Sequence, residues 1–174
     1  MFVKVASVHN RGTCALPVMI RLQKFLALEG RHKALLLKAW CLLGWYRAAI
    51  LLTSLKNLTA ALQHNAGTVA AAPLTPAQRK EAATIGWLVA AAARVTPWQS
   101  RCLVQVLVVQ RLLAKRGIPG QFYLGVRRGE EPALAPAGLA AHAWLQCDNA
   151  IVNGAAGREE FAVVSTFSWR AAHE

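Results

Sequence analysis

No two cysteines in this chain stand at C-x-x-C spacing, which removes the common structural zinc sites from consideration. The four that occur, Cys14, Cys41, Cys102 and Cys147, are widely and irregularly spaced, and no secretory signal pattern opens the chain. Both features point to a reducing, cytoplasmic setting. Acidic residues are scarce: 8 Asp and Glu face 20 Lys and Arg, a formal charge of +12 over 174 residues. No recognisable nucleic-acid motif uses that charge, and no internal repeat is visible. Lys38 and Arg47 cut the oiliest segment, residues 31–58, into uncharged runs shorter than the roughly 18–20 residues that a membrane span needs.

What is present is a hydrophobic chain with a lopsided charge. Residues 1–74 carry nine basic side chains against one acidic (+8), and residues 75–174 eleven against seven (+4). Such a field attracts nucleic acid, an anionic membrane or an acidic protein. The basic residues are scattered among leucines rather than interleaved with exposed aromatics. That pattern ranks an acidic peptide or protein first, keeps a membrane surface as the lesser alternative, and sets nucleic acid aside.

The chain divides by composition into a helical N-terminal region, residues 1–74, and a second domain, residues 75–174. Residues 1–15 read as a frayed leader and 16–28 as a short helix ended by Gly30. Residues 31–58 read as a long helix, apolar nearly all round, buried against the core or another protein. Residues 64–74, with Gly67 and Pro73 among small residues, read as a linker. Thr75-Pro76-Ala77-Gln78 is a capping box with proline at the first helical position. The next helix starts at Cys102, with Ser100 as its expected N-cap, Lys115 and Arg116 in its last turn, and Gly117 and Pro119 to end it. The period then drops to two. Strands are expected over 121–126, 142–147, 150–154 and 160–169, with a loop over 127–140 and a tight turn at Asp148-Asn149. Helices followed by strands make the fold class α+β, with the Cys102 helix packed on a small antiparallel sheet.

Cys102 in the first turn of a helix sits at the positive end of the helix dipole, which favours thiolate over thiol. His142, on a following strand, is the natural base for it. Two residues compete to orient the imidazole. If Asp148-Asn149 is the turn, Cys147 faces Ala150, Leu145 faces Val152 and His142 faces Ala155. Asn153 then lies diagonally from His142 on the same face, whereas Asp148 is about 20 Å along the strand. Asn153 is preferred and Asp148 held in reserve. Backbone N–H groups at Cys102 can hold an oxyanion, and Gln99 can add a side-chain donor, although an ordinary surface glutamine is the first-ranked account of it. Such a site needs neither metal nor cofactor. A packed cysteine and a hydrogen-bonded core histidine explain the same two residues without catalysis; buried packing is also the expectation for Cys41 and Cys147.

Ser100-Arg-Cys-Leu, Leu112-Leu-Ala-Lys-Arg-Gly-Ile, Leu124-Gly-Val, Ala141-His-Ala-Trp-Leu and Val152-Asn-Gly, taken in order, resemble the stand-alone leader peptidases of lasso-peptide biosynthesis. Those are transglutaminase-like cysteine proteases, the protease half of the maturation B protein. The match covers roughly residues 75–169 and implies a transglutaminase- or papain-like core. The resemblance implies removal of the leader from a ribosomally made precursor, with Cys102 as nucleophile and His142 as base. The superfamily's usual acid falls on or next to Asn153, so the pattern here departs to an amide. It also implies a separate small leader-recognition protein and an ATP-dependent cyclase as partners. The chain itself has nothing resembling a leader-recognition winged helix or a nucleotide-binding loop. Acyl transfer by the same thiol, or a catalytically silent binding module, are the alternatives.

Overall fold

Helical periodicity builds the first layer. In a computed structural model that describes residues 29–60, 62–65, 73–98, 100–128 and 139–170, helix α1 spans Gly30–Leu52. It buries Leu35, Ala39, Leu43 and Tyr46, a single stripe at intervals of four, four and three. A one-turn helix α2, Leu55–Leu58, follows. Helix α3, Pro76–Ala93, opens on the expected capping box: Gln78 N donates to Thr75 Oγ1 at 3.2 Å, and Thr75 N donates to Gln78 Oε1 at 3.0 Å. Helix α4, Cys102–Ala114, is the central element, with Val104, Val106, Leu107, Val108, Val109, Leu112 and Leu113 all buried. Its end uses Gly117 at φ 65°, which lets Ile118 N turn back to donate to Leu113 O at 3.1 Å.

The second layer is one antiparallel sheet in the order β1-β5-β2-β3-β4: β1 Gln63–Asn65, β2 Gly120–Arg128, β3 Leu139–Cys147, β4 Ala150–Asn153 and β5 Ala162–Trp169. A short 3-10 turn, Arg158–Glu160, precedes β5. Phe122, Leu145, Phe167 and Trp169 join the helices in one hydrophobic core. Helix α3 presses on β4 at Gly86, where an added Cβ would sit 2.2 Å from Val152 O, so only glycine permits the approach.

Several expectations are corrected. No boundary falls at residue 74 as expected: the buried stripe of α1 shares one core with α3, α4 and the sheet. His64 and Asn65, at the start of the expected linker, belong instead to β1 and pair with Phe167 and Thr166. Cys41 is exposed rather than buried. The hairpin register holds at Cys147↔Ala150, but a bulge between Leu145 and Gln146 pairs Leu145 with Asn153 instead of Val152. The leader over 1–15, the helix over 16–28, Cys14, Gln99, residues 66–72 of the linker and residues 129–138 of the loop lie outside the described residues.

Cys147 is buried as expected, and burial, reinforced by Asp148 beside it, pushes its thiol from 9.0 up to about 12. The folded state therefore holds this proton where the unfolded chain releases it. The stabilisation is complete below about pH 9 and is lost as pH rises toward about 12. Tyr46 and Tyr123, both raised by burial (with Arg111 opposing the shift at Tyr46), act in the same direction at higher pH. Urea melts of wild type and Cys147→Ala between pH 8 and about 10, below most tyrosine titration, should show a shallower alkaline decline in the variant.

Candidate active site

The loop ahead of α4 is fixed before the helix begins. Thr96 Oγ1 lies 2.9 Å from the carbonyls of Ala93 and Trp98 and 3.0 Å from Ser100 Oγ. Ser100 is not the expected N-cap, because the helix starts one residue later. The cap is instead Arg101, with φ −62° and ψ 162° and no side-chain capping bond. The Trp98 indole lies over α1, its ring centroid 5.1 Å from that of Trp40. Gly44 makes room for it: a Cβ there would stand 3.1 Å from Trp98 Cζ2. Cys102 is thus the first residue of α4, half-buried, at a helix start where the N-cap residue makes no side-chain capping bond.

His142 is held from three sides. Its ring stacks on Trp144 (5.9 Å between centroids) and meets Phe161 at 5.2 Å. Trp144 in turn stacks on Tyr123 at 5.5 Å. Gly125 is the strand partner of His142, and a Cβ there would lie 2.8 Å from both Trp144 Cζ3 and Phe161 Cβ, so this glycine makes the aromatic packing possible. The third contact is polar: Nε2 lies 2.9 Å from the Gly154 carbonyl oxygen. A carbonyl only accepts, so Nε2 carries the hydrogen and donates it, which leaves Nδ1 as the ring's basic nitrogen.

Neither expected orienting side chain reaches the ring. Asn153 is buried, and its Nδ2 donates to Gln105 Oε1 on α4 at 3.4 Å; among the described residues its Oδ1 has no hydrogen-bond partner. Gln105 Nε2 in turn donates to Ser100 O at 2.8 Å. Asp148 forms a 2.8 Å ion pair with Arg79 of α3, tying the β3–β4 turn to that helix. The bulge explains the difference for Asn153. By pairing it with Leu145, three residues from His142, it turns the amide toward the core face of the sheet.

His142 and Trp144 share one face of β3, whereas Ala143, Leu145 and Cys147 line the other, in the core with α4. Among the described residues Cys102 and His142 share no hydrogen bond. The link between α4 and the imidazole runs through the end of β4, from Gln105 to Asn153 and from the adjoining Gly154 to His142. Gln105, Gly154, Gly125 and Phe161 escaped the sequence reading. Gly154 had a signal, since the resemblance put the third group on or next to Asn153; the others act through packing that only the register reveals.

A thiol at a helix start and an imidazole of fixed tautomer are the parts needed for acyl transfer to a cysteine. Among the described residues no three His, Cys, Asp or Glu side chains converge as a metal centre requires. No curated protein and no solved structure matches the chain significantly. A family model, described as the transglutaminase-like superfamily, matches residues 33–166, from the start of α1 into β5. The chain therefore belongs to the transglutaminase-like superfamily, a group that includes cysteine proteases and acyltransferases.

Proposed function

We propose that this protein is a cysteine endopeptidase that removes the leader from a ribosomally synthesised precursor peptide of the lasso class, presented by a separate leader-recognition protein. The observation that carries the reading is the placing of Cys102 on the first residue of a core helix, one turn from the Gln105–Asn153 bridge to the strand end that holds His142. The thiol proton passes to His142 Nδ1, and the thiolate adds to the scissile carbonyl. The imidazolium protonates the departing amine, leaving a thioester on Cys102. Water, deprotonated by the imidazole, then releases the leader carboxylate and restores the thiol. Helix-start N–H groups stabilise the oxyanion in both steps. Among the described residues no hydrogen bond joins Cys102 to His142 in the resting state, and the ring lies on the face of β3 away from the core side packed by α4. The proton transfer from thiol to Nδ1 therefore requires substrate binding to bring ring and thiol together.

That same resting geometry favours a second reading, a silent binding module, since neither Asn153 nor Asp148 faces the ring with its side chain. Mass spectrometry of the full chain with precursor and recognition protein separates the cases. Hydrolysis gives two fragments that together gain one water; acyl transfer gives a cross-linked product lacking ammonia. Intact peptide with no adduct at Cys102 would leave only the binding module.

A further inference from the structure

Helix α1 is apolar on two opposite faces, and the fold covers only one. Leu37, Cys41, Trp45, Ala48 and Leu52, at intervals of four, four, three and four, form an outward stripe, with Leu37 63%, Trp45 68% and Leu52 87% exposed. Leu51, 68% exposed, widens it. Large apolar side chains clustered at such exposure mark a contact surface rather than ordinary scatter. Lys38 and Arg47 flank this stripe on its two sides, Lys56 lies just beyond the helix end, and no Asp or Glu occurs from Gly30 to Lys80.

We infer that this face docks on an anionic lipid bilayer, with α1 lying in the headgroup region. Its charge complements anionic headgroups, and Trp40 and Trp45 supply the indoles that favour the water–lipid boundary. Cores of protein–protein interfaces are poor in lysine, whereas lysines beside an apolar stripe suit a lipid surface. By length and composition alone α1 could cross a membrane. Crossing would strip Ala39 and Leu43, both at 0% exposure, from the core, so the helix lies on the surface and keeps its inner stripe. This inference is independent of the catalytic reading.

Flotation of the full chain with phosphatidylcholine vesicles, with and without phosphatidylglycerol, tests it. Wild type should float with the anionic vesicles at low salt and be released at high salt, where surface charge is screened. Lys38→Gln with Arg47→Gln should weaken partitioning by roughly ten- to thirtyfold. Trp45→Glu with Leu52→Glu, both outside the core, should abolish flotation while leaving the circular dichroism melt intact. Wild type that stays in the soluble fraction with anionic vesicles overturns the inference and assigns the face to a protein partner. Flotation undiminished in the Trp45–Leu52 double variant overturns it equally.

Discussion

Cys102→Ala should stop precursor cleavage altogether, a fall on the order of 10⁴-fold or more, while binding of the precursor through its recognition protein persists. The size of the effect follows from the chemistry. Among the described residues Cys102 is the only thiol at the start of α4, and a helix N-terminus polarises a carbonyl but supplies no acyl acceptor. Cys147 cannot substitute, being 1% exposed and held as a thiol by burial. Cys41 is exposed on α1 and is separate from the aromatic cage of His142. Single-turnover cleavage followed by peptide mass measures the outcome. A Cys102→Ala protein that still cuts would remove the nucleophile assignment and the protease with it.

Gly154→Ala should produce the second large loss. At φ 75° an L side chain is strained, and its Cβ would stand 2.5 Å from Ala143 O and 2.9 Å from Trp144 Cα. Backbone atoms on both sides leave no flexible group to give way, so β3 and the chain leaving β4 must separate. The Gly154 carbonyl then swings off His142 Nε2, and the tautomer that frees Nδ1 is no longer enforced. Misplacement of about 1 Å at a catalytic group costs on the order of 10²-fold in rate, and the strain itself about 1–3 kcal/mol of stability. Asn153→Ala should be milder, because it removes one long bond of 3.4 Å and an Oδ1 that has no partner among the described residues. Asp148→Ala should be milder still, losing a half-exposed pair with Arg79. Rates and urea melts of the three variants give the ranking. A full-rate Gly154→Ala beside an inactive Asn153→Ala would return the orienting role to the amide.

The same position shows how far sequence reading reached. Hydrophobic period, the Thr75–Gln78 capping box, Gly117 and the Asp148-Asn149 turn located α3, α4 and the hairpin because each is local chemistry written in neighbouring residues. The bulge at Leu145/Gln146 has no such signature. It arises where β4 must also fit against Gly86 of α3, a constraint set by residues some sixty positions away. One extra residue moved Asn153 to the other face, and the role expected of a side chain fell to a main-chain oxygen, which no residue letter encodes. Ser100 misses the cap by one position: its hydroxyl suits the role and bonds Thr96, but the helix begins at Cys102 and its cap falls on Arg101. The strand at Gln63–Asn65 was hidden because its pairing partner lies a hundred residues downstream.

The notch over Gly44 settles what can be cut away. The indole lodged there belongs to the loop that delivers the nucleophile, yet the notch is carved in a helix more than fifty residues earlier in the chain. A shortened protein beginning at the capping box at Thr75 would keep every residue that bears chemistry and lose the abutment against which that loop is braced. The N-terminal helix is in this respect masonry under the sulfur, and trimming it makes a different object rather than a smaller one.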